Sequence, residues 1–168
     1  MIEKSELAAK VVTAAKEAFG SGKLGELLRG EWTPATAAIK EVFDDLGMKL
    51  GYRTAGSGRA GADPQWKYDL IWFEEDKDGY TTRLPLILES ELKPKGKMVD
   101  LDYVKLVAGR ADVRVWLSCA ANANDAKAHI DKCEEQSRRF AGSLPGDAYV
   151  FIIFEWATRS VTIETRVI

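Results

Sequence analysis

The chain has 168 residues, 46% of them apolar, enough for one globular domain with a substantial core. Its 24 Lys and Arg against 26 Asp and Glu leave a net charge of −2, which excludes a strongly basic, sequence-blind nucleic-acid binder and requires any DNA contact to be local. No apolar run approaches the ~20 residues needed to span a bilayer, and MIEKSELAAK lacks the apolar centre of a signal peptide, so a cytoplasmic protein with no membrane partner is expected.

In chain order, Leu7, Val11, Ala14, Ala15 and Ala18 recur at helical spacing and predict a helix over residues 3–19, stopped by Gly20-Ser21-Gly22. A short helical stretch over 24–28 is expected next. Residues 1–30 thus read as an N-terminal helical extension of a core formed by 31–168. Thr33-Pro34 reads as an N-cap followed by proline at the first helical position, opening a helix with Ala35, Ile39, Val42, Phe43 and Leu46 on one face and Gly47 closing it. A first strand is predicted over 49–54, then the loop 55–65.

The segments 68–74 and 84–93 read as strands, and Asp76–Gly79 as the turn that folds them into an antiparallel hairpin. A helix over 99–111, a strand over 113–119, a helix from Asn124 or Asp125 to Ala141 capped by Gly142, and strands over 148–155 and 160–168 complete the order. The expected architecture is α/β with a mixed sheet, an antiparallel meander leading through a helical crossover to a further strand.

The segment LPLILESELK, Leu84–Lys93, begins apolar and ends as a ladder in which Glu89, Glu91 and Lys93 are two apart. Alternate residues of a strand share a side at intervals of roughly 7 Å. Two carboxylates at the mouth of an apolar strand repel unless a cation neutralises them, and a hard divalent ion does so with oxygen ligands. Hairpin folding returns Asp69 to the far end of its partner strand, so Asp69, Glu89 and Glu91 are expected to assemble as an acidic triad.

Asp69 followed by Glu89-Ser90-Glu91, or by Glu91-Leu92-Lys93, resembles the PD-(D/E)XK superfamily of restriction-endonuclease-like nucleases. Both registers stand: Asp69, Glu91 and Lys93 fill D…E-x-K, whereas Asp69, Glu89 and Glu91 fill D…E-x-E, and Glu89 is favoured because it ends the run Leu86–Leu88. Tyr68 stands where the family has proline. The resemblance implies an α-β-β-β-α-β core with helices on both faces, plus an added N-terminal helix and C-terminal strand here. It also implies hydrolysis of DNA phosphodiesters with Mg²⁺, or Mn²⁺ in its place, and a possible homodimer. Lys93, or Lys105 from the following helix, would be the catalytic lysine, and Glu41 an extra metal ligand. The alternative is a non-catalytic module of the same fold that binds nucleic acid or a protein.

Other patterns carry less. Lys93, Lys95, Lys97, Lys105, Arg110 and Arg114, with Arg53 and Arg59, form a positive set that is equally a DNA contact or a solvated surface. Gly56, Gly58 and Gly61 satisfy G-x-G-x-x-G, but Asp63-Pro64 and a strand follow where a phosphate-binding helix is required, so a loop is expected. Cys119 and Cys133 read as buried thiols. The single histidine, His129, reads as a packed or surface residue, and the tryptophans read as core.

Overall fold

The computed structural model describes residues 2–20, 32–56, 67–92 and 101–168, with the side chains of 32–35 excepted. In these, four helices cover a mixed sheet of six strands in chain order: α1 (Lys4–Gly20), α2 (Trp32–Lys49), β1 (Arg53–Ala55), β2 (Leu70–Glu75), β3 (Thr81–Glu91), α3 (Leu101–Ala108), β4 (Val113–Ala120), α4 (Ala123–Arg139), β5 (Ala148–Glu155) and β6 (Val161–Val167). The sheet order is β1-β2-β3-β4-β5-β6. β1–β2, β2–β3 and β5–β6 are antiparallel, and β3–β4 and β4–β5 parallel. From α2 to β4 this is the expected α-β-β-β-α-β order. The helix expected over 24–28 lies outside the described residues.

All eight residues of β4 and all eight of β5 are buried, as central parallel strands covered on both faces must be. One face packs Leu70, Trp72, Leu86, Leu88 and Val115 against Leu7 and Val11 of α1 and Ile39 and Phe43 of α2. The other packs Ile71, Ile87, Trp116 and Phe151 against Tyr103 and Leu106 of α3 and Ile130 and Cys133 of α4. Each such side chain contributes about 1.5–3 kcal/mol by leaving water. Because Leu7 and Val11 are wholly buried in the first core, α1 belongs to it and is not an appendage.

The hairpin turn forms as its sequence dictates. Asp76 Oδ1 accepts hydrogen bonds from the backbone N–H groups of Asp78 and Tyr80, each 2.9 Å, and the Asp76 carbonyl accepts from Gly79 at 3.1 Å. Several predicted boundaries are corrected. Gly47 does not close α2, which runs to Lys49 and ends in a Schellman motif: the Tyr52 N–H reaches back to the Gly47 carbonyl, the Gly51 N–H to that of Met48, and Gly51 is left-handed. Gly47 is glycine for another reason, since a Cβ there would stand 2.6 Å from the Trp72 indole nitrogen. The first strand shrinks to Arg53–Ala55 because that helix and its cap occupy residues 49–52. α4 starts one residue past Asn122, whose side chain accepts from Asn124 and Asp125, and it ends at Phe140 ahead of Gly142.

Candidate active site

β2 and β3 set the geometry of the acidic residues. Leu70 pairs with Leu88, so the antiparallel register carries the preceding Asp69 to the end of β3 where Glu89, Ser90 and Glu91 lie. There the Asp69 carboxylate replaces a backbone ladder partner: its Oδ2 accepts from the Ser90 N–H at 2.8 Å and from the Ser90 hydroxyl at 2.6 Å. Gly56 makes room for this. It ends β1 at φ +95°, and a Cβ on it would stand 2.4 Å from the Asp69 carbonyl oxygen. That close approach explains the first glycine of the G-x-G-x-x-G pattern without a dinucleotide; Gly58, Gly61, Ser57 and Arg59 lie outside the described residues.

Glu89 follows Ile87 on the face covered by α3, and its side chain is only 3% exposed. The Lys105 ammonium stands 2.7 Å from Glu89 Oε1 and 3.0 Å from Asp102 Oδ1, and donates to the Lys67 carbonyl at 3.3 Å. At 2.7 Å the Lys105 ammonium is a charge-assisted partner of the buried Glu89 Oε1. Burial pushes the Glu89 carboxyl up to about 7; Lys105 pulls it down, and the Asp69 charge pushes it further up. Burial works against the Lys105 ammonium, but Glu89 and Asp102 outweigh it and raise that group to about 12.

Glu91 shares the strand parity of Glu89 and is partly exposed, with its carbonyl accepting from the Ser118 hydroxyl at 3.0 Å. Asp69 and Glu89 are thus near enough for one charge to act on the other, with Glu91 two residues further along. Among the described residues no group of three His, Cys, Asp or Glu side chains is arranged to hold a metal ion. Lys93, Lys95 and Lys97 lie outside the described residues. Glu41 is exposed on α2, on the side away from buried Ile39 and Phe43, and the side chain of that helix which reaches the site is Lys40, 3.5 Å from the Asp69 carbonyl.

Four participants escape a reading based on alternate acidic positions. Ser90 points its hydroxyl at Asp69, Asp102 lies one helical turn before Lys105, Lys40 approaches from α2, and Tyr68 takes a raised hydroxyl pKa from burial and then from the Glu89 charge. A hydroxyl between two glutamates and an Asp–Lys pair at i, i+3 are visible in the sequence as signals for the first two. Lys40 and Tyr68 have no such signal.

The expected positive set divides. Arg114 is 3% exposed, donates to the carbonyls of Leu106, Gly109 and Ala111 and pairs with Asp147 at 3.2 Å, so it caps α3 and cannot meet DNA. Arg53 pairs with Glu75. His129 is partly buried and accepts the Trp116 indole N–H at 2.9 Å, which is a packing role, and Trp72 and Trp116 are core. Cys119 and Cys133 are both buried thiols, not joined in a disulfide. Among the described residues no helix is long and apolar enough to cross a membrane. No family model matches the chain, and neither does any curated protein or solved structure.

Proposed function

We propose that the chain is a Mg²⁺-dependent nuclease hydrolysing DNA phosphodiesters, of the PD-(D/E)XK type that its acidic motif resembles. The observation that carries this reading is the delivery of Asp69 and a buried Glu89 to one strand end, with a lysine ammonium against the glutamate. Carboxylate oxygens suit a hard cation, and the buried Glu89 Oε1 already draws a positive charge, the Lys105 ammonium at 2.7 Å. Asp69, Glu89 and Glu91 would hold the ion, in the D…E-x-E register. Bound there, Mg²⁺ would polarise a phosphoryl oxygen and make a water more acidic.

The chain's own groups have separate tasks. Ser90 fixes the orientation of Asp69 through two hydrogen bonds. Lys105, with its side chain 42% exposed, balances Glu89 on its buried side and presents the rest of its charge to solvent, where a phosphate would meet it. In hydrolysis a water oxygen bonds to phosphorus, the bond from phosphorus to the leaving oxygen breaks, and a proton ends on that oxygen.

A non-cleaving module that binds nucleic acid or protein is the second reading. It is favoured by the absence, among the described residues, of three acidic side chains arranged around one point, and by the neutralisation of Glu89 within the chain. Supercoiled plasmid incubated with the protein and Mg²⁺ or Mn²⁺ separates the two. The nuclease reading requires nicked or linear product that disappears with Asp69→Asn and with Glu89→Gln. Intact plasmid under both metals, or cleavage persisting in both variants, rejects it.

A further inference from the structure

β6 pairs with β5 on one side and, among the described residues, with no strand on the other. The ends of the β5–β6 ladder show which backbone groups point outward. The Ile168 N–H donates to the Asp147 carbonyl, and the Ser160 carbonyl accepts from the Glu155 N–H, so the even-numbered residues address β5. Alternation turns the N–H and C=O groups of Val161, Ile163, Thr165 and Val167 away from it. The outward Thr165 carbonyl is met by the Arg166 guanidinium at 3.3 Å.

The side chains along this edge are self-complementary. We infer that β6 is a homodimer interface, two copies of the chain joining their sheets by antiparallel pairing of β6 about a two-fold axis at Thr165. In that register the outward groups of Thr165 meet those of Thr165 in the second copy, and Ile163 lies opposite Val167, twice. Glu164 of each copy then lies opposite Arg166 of the other. Moving the axis to Glu164 sets Glu164 against itself, and moving it to Arg166 sets two guanidiniums together. Opposite charges facing each other across strands stabilise and like charges destabilise, so the charge order selects the Thr165 register.

The flanking surface agrees. Val167 is 58% exposed, and beside it lies a groove of about 710 Å³ between α1 and the sheet, lined by Ala8, Ala9 and Val12 among others. Small side chains there leave room for apolar groups from a second copy. Arg166 keeps its 2.9 Å contact to Glu134 while exchanging its own Glu164 for that of its partner. The interface is isologous, as a two-fold requires, and does not depend on the nuclease reading.

Sedimentation equilibrium of the full chain tests this. The wild type is expected at twice the 18.6 kDa chain mass. Glu164→Arg alone and Arg166→Glu alone each place like charges opposite one another, and each should weaken association about tenfold or more. An equimolar mixture of the two variants restores both opposite-charge contacts and should regain the dimer mass. Thr165→Pro removes an outward N–H and leaves the β5 ladder intact, so it should give a monomer with unchanged circular dichroism. A wild type at single-chain mass throughout its soluble range, or a dimer that survives both charge reversals, overturns the inference.

Discussion

At Glu89 the chain holds a carboxyl whose environment opposes its own ionisation. Its folded pKa, about 7, lies above the ordinary 4.5, so the folded state binds more protons than the unfolded chain between those values. The stability from Glu89 is therefore complete below about pH 4.5 and is lost as pH rises to about 7, by on the order of 3 kcal/mol. Urea titrations from pH 4 to 8 should show that decline in the wild type and a flatter profile in Glu89→Gln; equal slopes would mean that burial does not govern this group. Ser90→Ala removes the hydroxyl contact to Asp69 and keeps the backbone one, so a loss of about 1 kcal/mol is expected in the same titration.

Two glycines and a cap fix how the elements meet, and one of the glycines, Gly56, lies at the site. Ala in place of Gly56 would meet the Asp69 carbonyl and suffer a left-handed backbone as well, so Gly56→Ala should cost more than about 1 kcal/mol and weaken any Asp69-dependent activity. Gly47→Val would force Trp72 away from the Phe43 carbonyl it now reaches at 3.0 Å, costing about 1–3 kcal/mol without touching the acidic residues. Thermal melts of both variants, with plasmid assays of the folded fraction, separate the packing glycine from the site glycine. On the opposite face Asn122→Ala should cost about 1 kcal/mol through the lost cap of α4.

Over the whole molecule the sheet is a partition between two cores, with the acidic strand end at its margin. Divalent ions provide a global readout: if Asp69 and Glu89 hold Mg²⁺ or Mn²⁺ only when folded, the melting temperature must rise with millimolar metal at pH 8, and stay flat in Asp69→Asn. A flat wild-type response would remove the metal from the proposal. Deleting residues 1–20 would uncover the first core around Val115, Val150 and Ile152, and the truncated chain should lose its cooperative melt.

Local chemistry determined much of this. Helical spacing in α1, apolar runs in β4 and β5, and the Asp76–Gly79 turn are legible because each depends on neighbours a few residues away. The hairpin likewise carries Asp69 to Glu89 by register alone. What only tertiary structure decided is how each side chain is used. Arg114 looks like a surface cation until the Leu106, Gly109 and Ala111 carbonyls surround it, and Gly47 looks like a helix stop until Trp72 lies against it. Ser90 looks incidental until Asp69 turns toward it, and Lys105 becomes the counter-ion of Glu89 only when α3 folds over β3. Periodicity assigns a residue to a face, but its chemistry depends on which distant atoms that face meets, and burial magnifies the consequence because a charge removed from water must find its partner there.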